Sequence, residues 1–131
     1  MCLGVTAQTS FIGYPPDGAS ITPGKKLTVQ VVRPNSIEGS IEAGLVIGLF
    51  SCFNGPAGCP GPEEVGTVLF NGKFKPTVHT GEQFQIYENF SLTVPSDFPA
   101  GAAQLSTNRF HLIGAGPAAV LEQHNITVNV A

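Results

Sequence analysis

The sequence predicts an all-β protein, an antiparallel β-sandwich of seven to eight strands that is immunoglobulin- or fibronectin-III-like in size and strand spacing, with a small closed barrel as the alternative. Residues 85–94, 102–113 and 118–130 read as consecutive strands separated only by Pro/Gly turns. Within them apolar residues alternate with period two, as in half-buried strands. Ile86, Phe90, Leu92 and Val94 stand against Tyr87, Asn89, Ser91 and Thr93, and Ile126, Val128 and Val130 against Asn125, Thr127 and Asn129. The chain has 16 glycines and 11 prolines, and no helical period runs beyond two turns, which suits frequent turns between short strands.

Residues 9–14 form a short edge strand stopped by Pro15-Pro16-Asp17-Gly18, a run in which each residue favours a turn for its own reason. Thr22-Pro23-Gly24 leads into a strand over 25–33, where Leu27, Val29 and Val31 alternate with Thr28, Gln30 and Val32, and Pro34-Asn35-Ser36 ends it. Residues 42–52 are almost continuously apolar, the pattern of a central strand covered on both faces, and their glycines allow close backbone approach. A further strand covers 65–71. Asn71-Gly72 then predicts a type I′ hairpin returning through Lys73-Phe74-Lys75, and a polar loop over 77–83 leads to the closing strands.

At 131 residues and 13.6 kDa the chain is long enough for one domain with a single core. Only 11% of residues are charged and the net charge is −3, with six dispersed Lys/Arg. The clustered basic footprint that a nucleic acid or an anionic membrane requires is missing, and membrane insertion is not expected. Val5-Thr6-Ala7 places small residues at −3 and −1 of a signal-peptidase site. Residues 1–7 are therefore expected to be a secretion-signal remnant and 8–131 the β domain, against the rival reading of an ordinary apolar N-terminus. With Cys2 in the remnant, Cys52 and Cys59 remain as a pair around a Gly/Pro loop. Closing that loop stabilises by roughly 2.5 kcal/mol in the chain-entropy model, and a disulfide implies an oxidising compartment.

Candidate chemistry gathers where residues 102–113 fold back on 118–130. Arg109, His111, Glu122 and His124 come together there, either as a polar binding patch or as a solvated, mutually paired cluster. Leu105 and Phe110 are out of phase, which predicts a bulge near Asn108 that re-aims these side chains. His79 falls in the polar loop and is expected to be exposed. The chain has no Gly-x-Ser-x-Gly elbow, phosphate-binding glycine loop or His-Glu-x-x-His pair, and Glu63-Glu64 beside Pro62 reads as a solvated turn. No enzyme activity, cofactor or metal is expected. The sequons Asn89-Phe90-Ser91 and Asn125-Ile126-Thr127 share an outward phase, which makes Asn89 and Asn125 candidates for N-glycosylation. A carbohydrate-binding or cell-wall-associated module is the second functional reading. The lack of Trp, with Tyr14 and Tyr87 the sole tyrosines, counts against it.

An ordered string of short segments runs from about Phe11 to Val130. It comprises Ile21-Thr22-Pro23-Gly24, Leu27-Thr28-Val29-Gln30-Val31-Val32-Arg33-Pro34, Val46-Ile47-Gly48-Leu49 with Ser51-Cys52, Gly66-Thr67-Val68-Leu69-Phe70-Asn71-Gly72, and Phe110-His111-Leu112-Ile113-Gly114-Ala115-Gly116-Pro117 with Leu121-Glu122. In this string the chain resembles the necrosis-inducing secreted protein family of fungi. The resemblance implies a small extracellular fungal protein without known catalysis. Members in plant pathogens act as effectors that dampen host immunity by engaging receptor-associated kinases, and some provoke cell death. The implied partner is a host or fungal surface protein, with a glycan as the second possibility.

Overall fold

The computed structural model describes residues 10–34, 40–52, 55–79 and 82–131; the expected remnant at 1–7, with Cys2, lies outside them. The described residues form nine strands in two sheets and no α-helix. In chain order the strands are β1 (Phe11–Tyr14), β2 (Ser20–Ile21), β3 (Lys26–Pro34), β4 (Ser40–Ser51), β5 (Thr67–Gly72), β6 (Thr77–His79), β7 (Glu82–Thr93), β8 (Gly101–Ile113) and β9 (Ala118–Val130). One sheet has the order β1-β3-β7-β6 and the other β2-β9-β8-β4-β5. Every pairing is antiparallel except β2 with β9. The count exceeds eight because the two-residue β2 pairs with the end of β9 and because β6 forms within the segment expected to be a loop.

Both sheets contribute to one core. Leu27, Val29 and Val31 of β3 with Phe90 and Leu92 of β7 meet Leu45, Ile47 and Leu49 of β4, Ala103 and Leu105 of β8, and Val128 and Val130 of β9. The alternation read from β7 holds: Ile86, Phe90, Leu92 and Val94 are buried, whereas Asn89, Ser91 and Thr93 are exposed. β4 lies between β8 and β5, the central place its apolar run predicted. There a side chain at Gly48 would collide with Val65, and one at Gly66, whose φ is +71°, with the Leu49 carbonyl. These two glycines let the chain after the disulfide cross closely over β4.

The expected hairpin at Asn71-Gly72 does not form. Both residues stay inside β5, paired with Val46 and Leu45, and Gly72 lacks the positive φ a type I′ turn demands. The chain instead crosses to the other sheet, and Phe74 becomes a core plug at 2% exposure with its ring 6.4 Å from that of Phe90. Burying that ring outweighs the local turn preference, since an aromatic buries roughly 150–250 Å².

Cys52 and Cys59 are disulfide-bonded, and the segment that follows folds over the outer face of β8. Gln104, fully buried, clamps it: its Nε2 donates to the Gly61 and Glu64 carbonyls at 2.7 and 3.2 Å, and its Oε1 accepts from the Gly61 amide at 2.9 Å. Asn108 Nδ2 donates to the Pro62 carbonyl at 3.0 Å. Residues 103–107 of β8 are consequently buried on both faces. Truncating Ile47 to Ala should cost about 2–5 kcal/mol. Chemical denaturation tests this, and an unchanged midpoint would mean that β4 is misplaced in the core.

Candidate functional site

Strict alternation along β8 turns Ala103, Leu105, Thr107, Arg109, His111 and Ile113 inward, and all of them are buried. β9 runs in unbroken register beside it, with Arg109 opposite Glu122 and Thr107 opposite His124. The bulge expected near Asn108 is absent. Phe110 is out of phase with Leu105 because it faces solvent, and the inward places at this end of the strand are held by Arg109 and His111. The irregularity lies across the sheet in β4, between Glu42 and Gly44.

That bulge decides what enters the core. In an unbulged β4 the phase of Leu45, Ile47 and Leu49 would carry Ala43 and Ile41 inward and Glu42 outward. One extra residue reverses everything beyond it. Ile41 is 59% exposed, and the Glu42 side chain, 10% exposed, reaches the buried guanidinium.

Arg109 is 1% exposed and gripped from both flanking strands. Its Nε donates to Glu42 Oε1 at 2.8 Å and its Nη2 to Glu42 Oε2 at 2.6 Å, the bidentate geometry that a planar fork allows. Nη1 donates to Glu122 Oε1 at 2.8 Å and Nη2 to Ser40 Oγ at 3.3 Å. The guanidinium carbon stands 5.9 Å from the centre of the Phe74 ring. Arg33 adds a second cation to Glu42 at 2.9 Å, so two guanidiniums balance two carboxylates. Glu122 also accepts from the Ser10 amide and, at 2.6 Å, from the Ser10 hydroxyl. His124 Nε2 is 3.5 Å from Glu122 Oε2, a long contact. His111 Nδ1 and Ser40 Oγ are 3.2 Å apart, and His111 Nε2 is buried without a hydrogen-bond partner.

The electrostatics follow from this packing. Burial alone would raise the Glu122 carboxyl, but the contacts from His124, Ser10 and Arg109 outweigh it and bring the pKa down to about 2. Burial works against Glu42 in the same way, and Arg109 and Arg33 more than offset it to hold the carboxyl below its ordinary range. His111 is pushed below its ordinary value by burial and by the neighbouring Arg109 cation, which exceed the opposing pull of the two glutamates.

The four residues singled out in the sequence gather at this end of the sheet, with Arg109 and His111 buried, Glu122 nearly so and His124 half-buried at its margin. Sequence reasoning missed Glu42, Arg33, Ser40 and Ser10. Glu42 carried a usable signal, as a lone carboxylate opening an otherwise apolar strand. His79 is half-buried, not an exposed loop residue, and stacks on Tyr87 with ring centres 3.6 Å apart. Of the sequon residues Asn89 and Asn125, both exposed, Asn125 donates its Nδ2 to Gln104 at 2.9 Å.

The same strands present the opposite chemistry outward. Phe110 pairs with Leu121, and Leu112 with both Ala119 and Ile41, across the solvent face. Phe110 is 44% and Leu121 60% exposed. A cleft of about 480 Å³ at the other end of this sheet is lined by Phe50, Phe98, Pro95, Pro99 and Asp97, and one of about 290 Å³ by Tyr14, Lys25 and Lys26. Neither includes a residue of the ionic cluster.

Arg109→Met should cost about 3–5 kcal/mol, because Glu122 loses its guanidinium and Glu42 is left with Arg33 alone. A loss under about 1 kcal/mol on denaturant unfolding would contradict the network. On the acid side the pH dependence has one sign. At Glu42, Glu122 and His111 the unfolded chain binds more protons than the folded one, so stability falls on acidification. The His111 contribution is complete above about pH 6.5 and declines below it. That of Glu122 is complete above about pH 4.5, is lost as pH falls through about 2, and amounts to about 3 kcal/mol. Thermal unfolding between neutral pH and pH 2 checks this, and a flat Tm would contradict it.

A search of curated proteins finds no match to this chain. A family model described as the Nis1 family matches residues 5–129, and Nis1 is a necrosis-inducing, effector-like fungal family, in line with the resemblance carried by the short segments. The chain belongs to the Nis1 family.

Proposed function

We propose that this protein is a secreted, non-enzymatic fungal β-sandwich that acts by binding a protein partner, in the effector-like or immunomodulatory manner of its family. The observation that carries the reading is the inverted end of the β4-β8-β9 sheet. Its titratable residues engage one another in the interior, while Ile41, Phe110 and Leu121 face solvent. Large exposed apolar side chains in register across three strands favour a binding surface over a catalytic one. Secretion is supported by the Cys52–Cys59 disulfide and by the exposure of Asn89 and Asn125. The immunoglobulin-like form of the sandwich is supported by strand order. Sheets β1-β3-β7-β6 and β2-β9-β8-β4-β5 follow the A-B-E-D and G-F-C-C′ orders of that fold, with β2 as an added short strand beside the last.

The partner class that family membership favours is a host surface protein, a receptor-associated kinase foremost. The test uses the secreted full chain as bait against plant and fungal extracts, beside a glycan array. A protein partner competed off by untagged chain is the expected result. Glycan binding without any protein partner would overturn the reading in favour of a carbohydrate-binding module.

A further inference from the structure

We propose that the outer edge of β9 over residues 118–125 accepts an added β-strand, supplied by an extended segment of the protein partner; this rests on the partner-binding reading. The backbone of β9 shows which groups face that edge. Thr127 donates its amide to Asp17 Oδ1 at 2.8 Å and accepts at its carbonyl from the Gly18 amide at 2.6 Å. Asn129 likewise donates its amide to the Ala19 carbonyl at 2.8 Å. Both residues thus turn their backbone groups away from β8. The register of β8 with β9 is unbroken from Gly101–Val130 to Ile113–Ala118, and in an antiparallel ladder this orientation recurs at every second residue. Ala119, Leu121, Gln123 and Asn125 therefore each present an amide and a carbonyl to the open edge. β2 pairs only with Asn129 and Val130, and among the described residues nothing bonds to those four backbones.

The other open edges are interrupted. β1 carries a register shift between Ile12 and Tyr14 and runs into Pro15-Pro16, and β6 carries one between Val78 and His79 and follows Pro76. In β5 the shift falls opposite Ile47 and Gly48, and Lys73 follows the strand. The stretch of β4 not covered by β5, residues 40–44, contains the bulge between Glu42 and Gly44. Bulges, prolines and lysines are the devices that keep an edge from pairing. Residues 118–125 have none of them. Their one Lys, Arg, Asp or Glu is Glu122, whose carboxylate is engaged by Arg109 and Ser10.

The unfilled ladder selects the occupant. A helix satisfies its own backbone groups and leaves these unanswered, whereas an extended segment offers a donor and an acceptor at every second residue. The open stretch is about 27 Å long at roughly 3.4 Å per residue, enough for a full strand. A second copy pairing its own β9 across a twofold uses all four outward residues in one register alone, with 119 opposite 125 and 121 opposite 123. That register sets Glu122 opposite the same residue of the copy, and like charges directly opposite are unfavourable. The partner segment carries an apolar residue beside Leu121, which is 60% exposed, and uncharged polar residues beside Gln123 and Asn125.

The experiment follows amide hydrogen exchange and chemical shifts by NMR for the full chain, alone and with a synthetic eight-residue alternating Thr/Val peptide. A control peptide N-methylated throughout keeps the side chains and removes the donors. In the free chain the amides of residues 119, 121, 123 and 125 should exchange rapidly while those of 120, 122 and 124, bonded to β8, exchange slowly. The unmethylated peptide should slow the first set tenfold or more, and the methylated peptide should leave it unchanged. Gln123→Pro removes an outward donor and none of the bonds to β8, so it should fold with little change in Tm and lose the response to the peptide. If that variant fails to fold, the methylated control still decides.

Slow exchange at 119–125 in the free chain, as pairing with the chain's own N-terminal residues or with a second copy would give, overturns the proposal. So does an equal response to both peptides, or shifts centred on the Phe50–Phe98 cleft. A natural partner that binds the Gln123→Pro variant as tightly as the unmodified chain overturns it while leaving the partner-binding reading intact. Failure to find any protein partner removes both.

Discussion

The buried guanidinium of Arg109 constrains more of this molecule than any other group. At 1% exposure it must be answered on every side, because an unpaired charge in that position would cost several kcal/mol. Glu42 answers from β4, Glu122 from β9, Ser40 from the start of β4 and the Phe74 ring from the chain crossing between sheets. Three separate parts of the chain are thus fixed by one side chain. Ion pairs of this kind need not add net stability over a well-packed apolar core. Their effect here is on register, since a one-residue slip in β4 would withdraw Glu42 and leave the cation half-paired.

The consequence reaches the surface. A strand has two faces, and what one turns inward the other must turn outward. Placing Glu42, Arg109, His111 and Glu122 inside sends Ile41, Phe110, Leu112 and Leu121 outside. At the other half of the same sheet the pattern is ordinary inside, with Leu105 and Leu49 in the core, and the outer face is covered by the segment that Gln104 and Asn108 hold down. The sheet therefore has one half sealed by its own loop and one half left open. The proposed function rests on that asymmetry, with family membership supplying the class of protein in which to interpret it.

Much of the fold was legible in the sequence because it rests on period-two alternation, which β3, β7 and the end of β9 display plainly. The disulfide was legible because its loop is short and rich in glycine and proline. Two features were hidden. The crossing at Phe74 was masked by Asn71-Gly72, a strong local turn signal overridden by the burial of an aromatic ring. The inverted end was misread as a slip in β8, because the alternation rule assumes that the inward face is the apolar one. Along β8 the alternation is perfect, and it is the chemistry of the two faces that exchanges. The bulge in β4 was invisible because Ile41, Ala43, Leu45, Ile47 and Leu49 form an unbroken apolar alternation, and only the partner groups on β8 and β9 show why the strand departs from it.

The most direct test of this account is the ionisation of Glu122, followed by carbon NMR of its side-chain carboxyl as the folded protein is acidified. A buried carboxylate held by Arg109 and Ser10 should remain ionised down to about pH 2. Titration near 4.5, the ordinary value for the residue, would show that the cluster is solvated, and with it the argument that an interior charge network turns the apolar side chains of β4, β8 and β9 outward would fail.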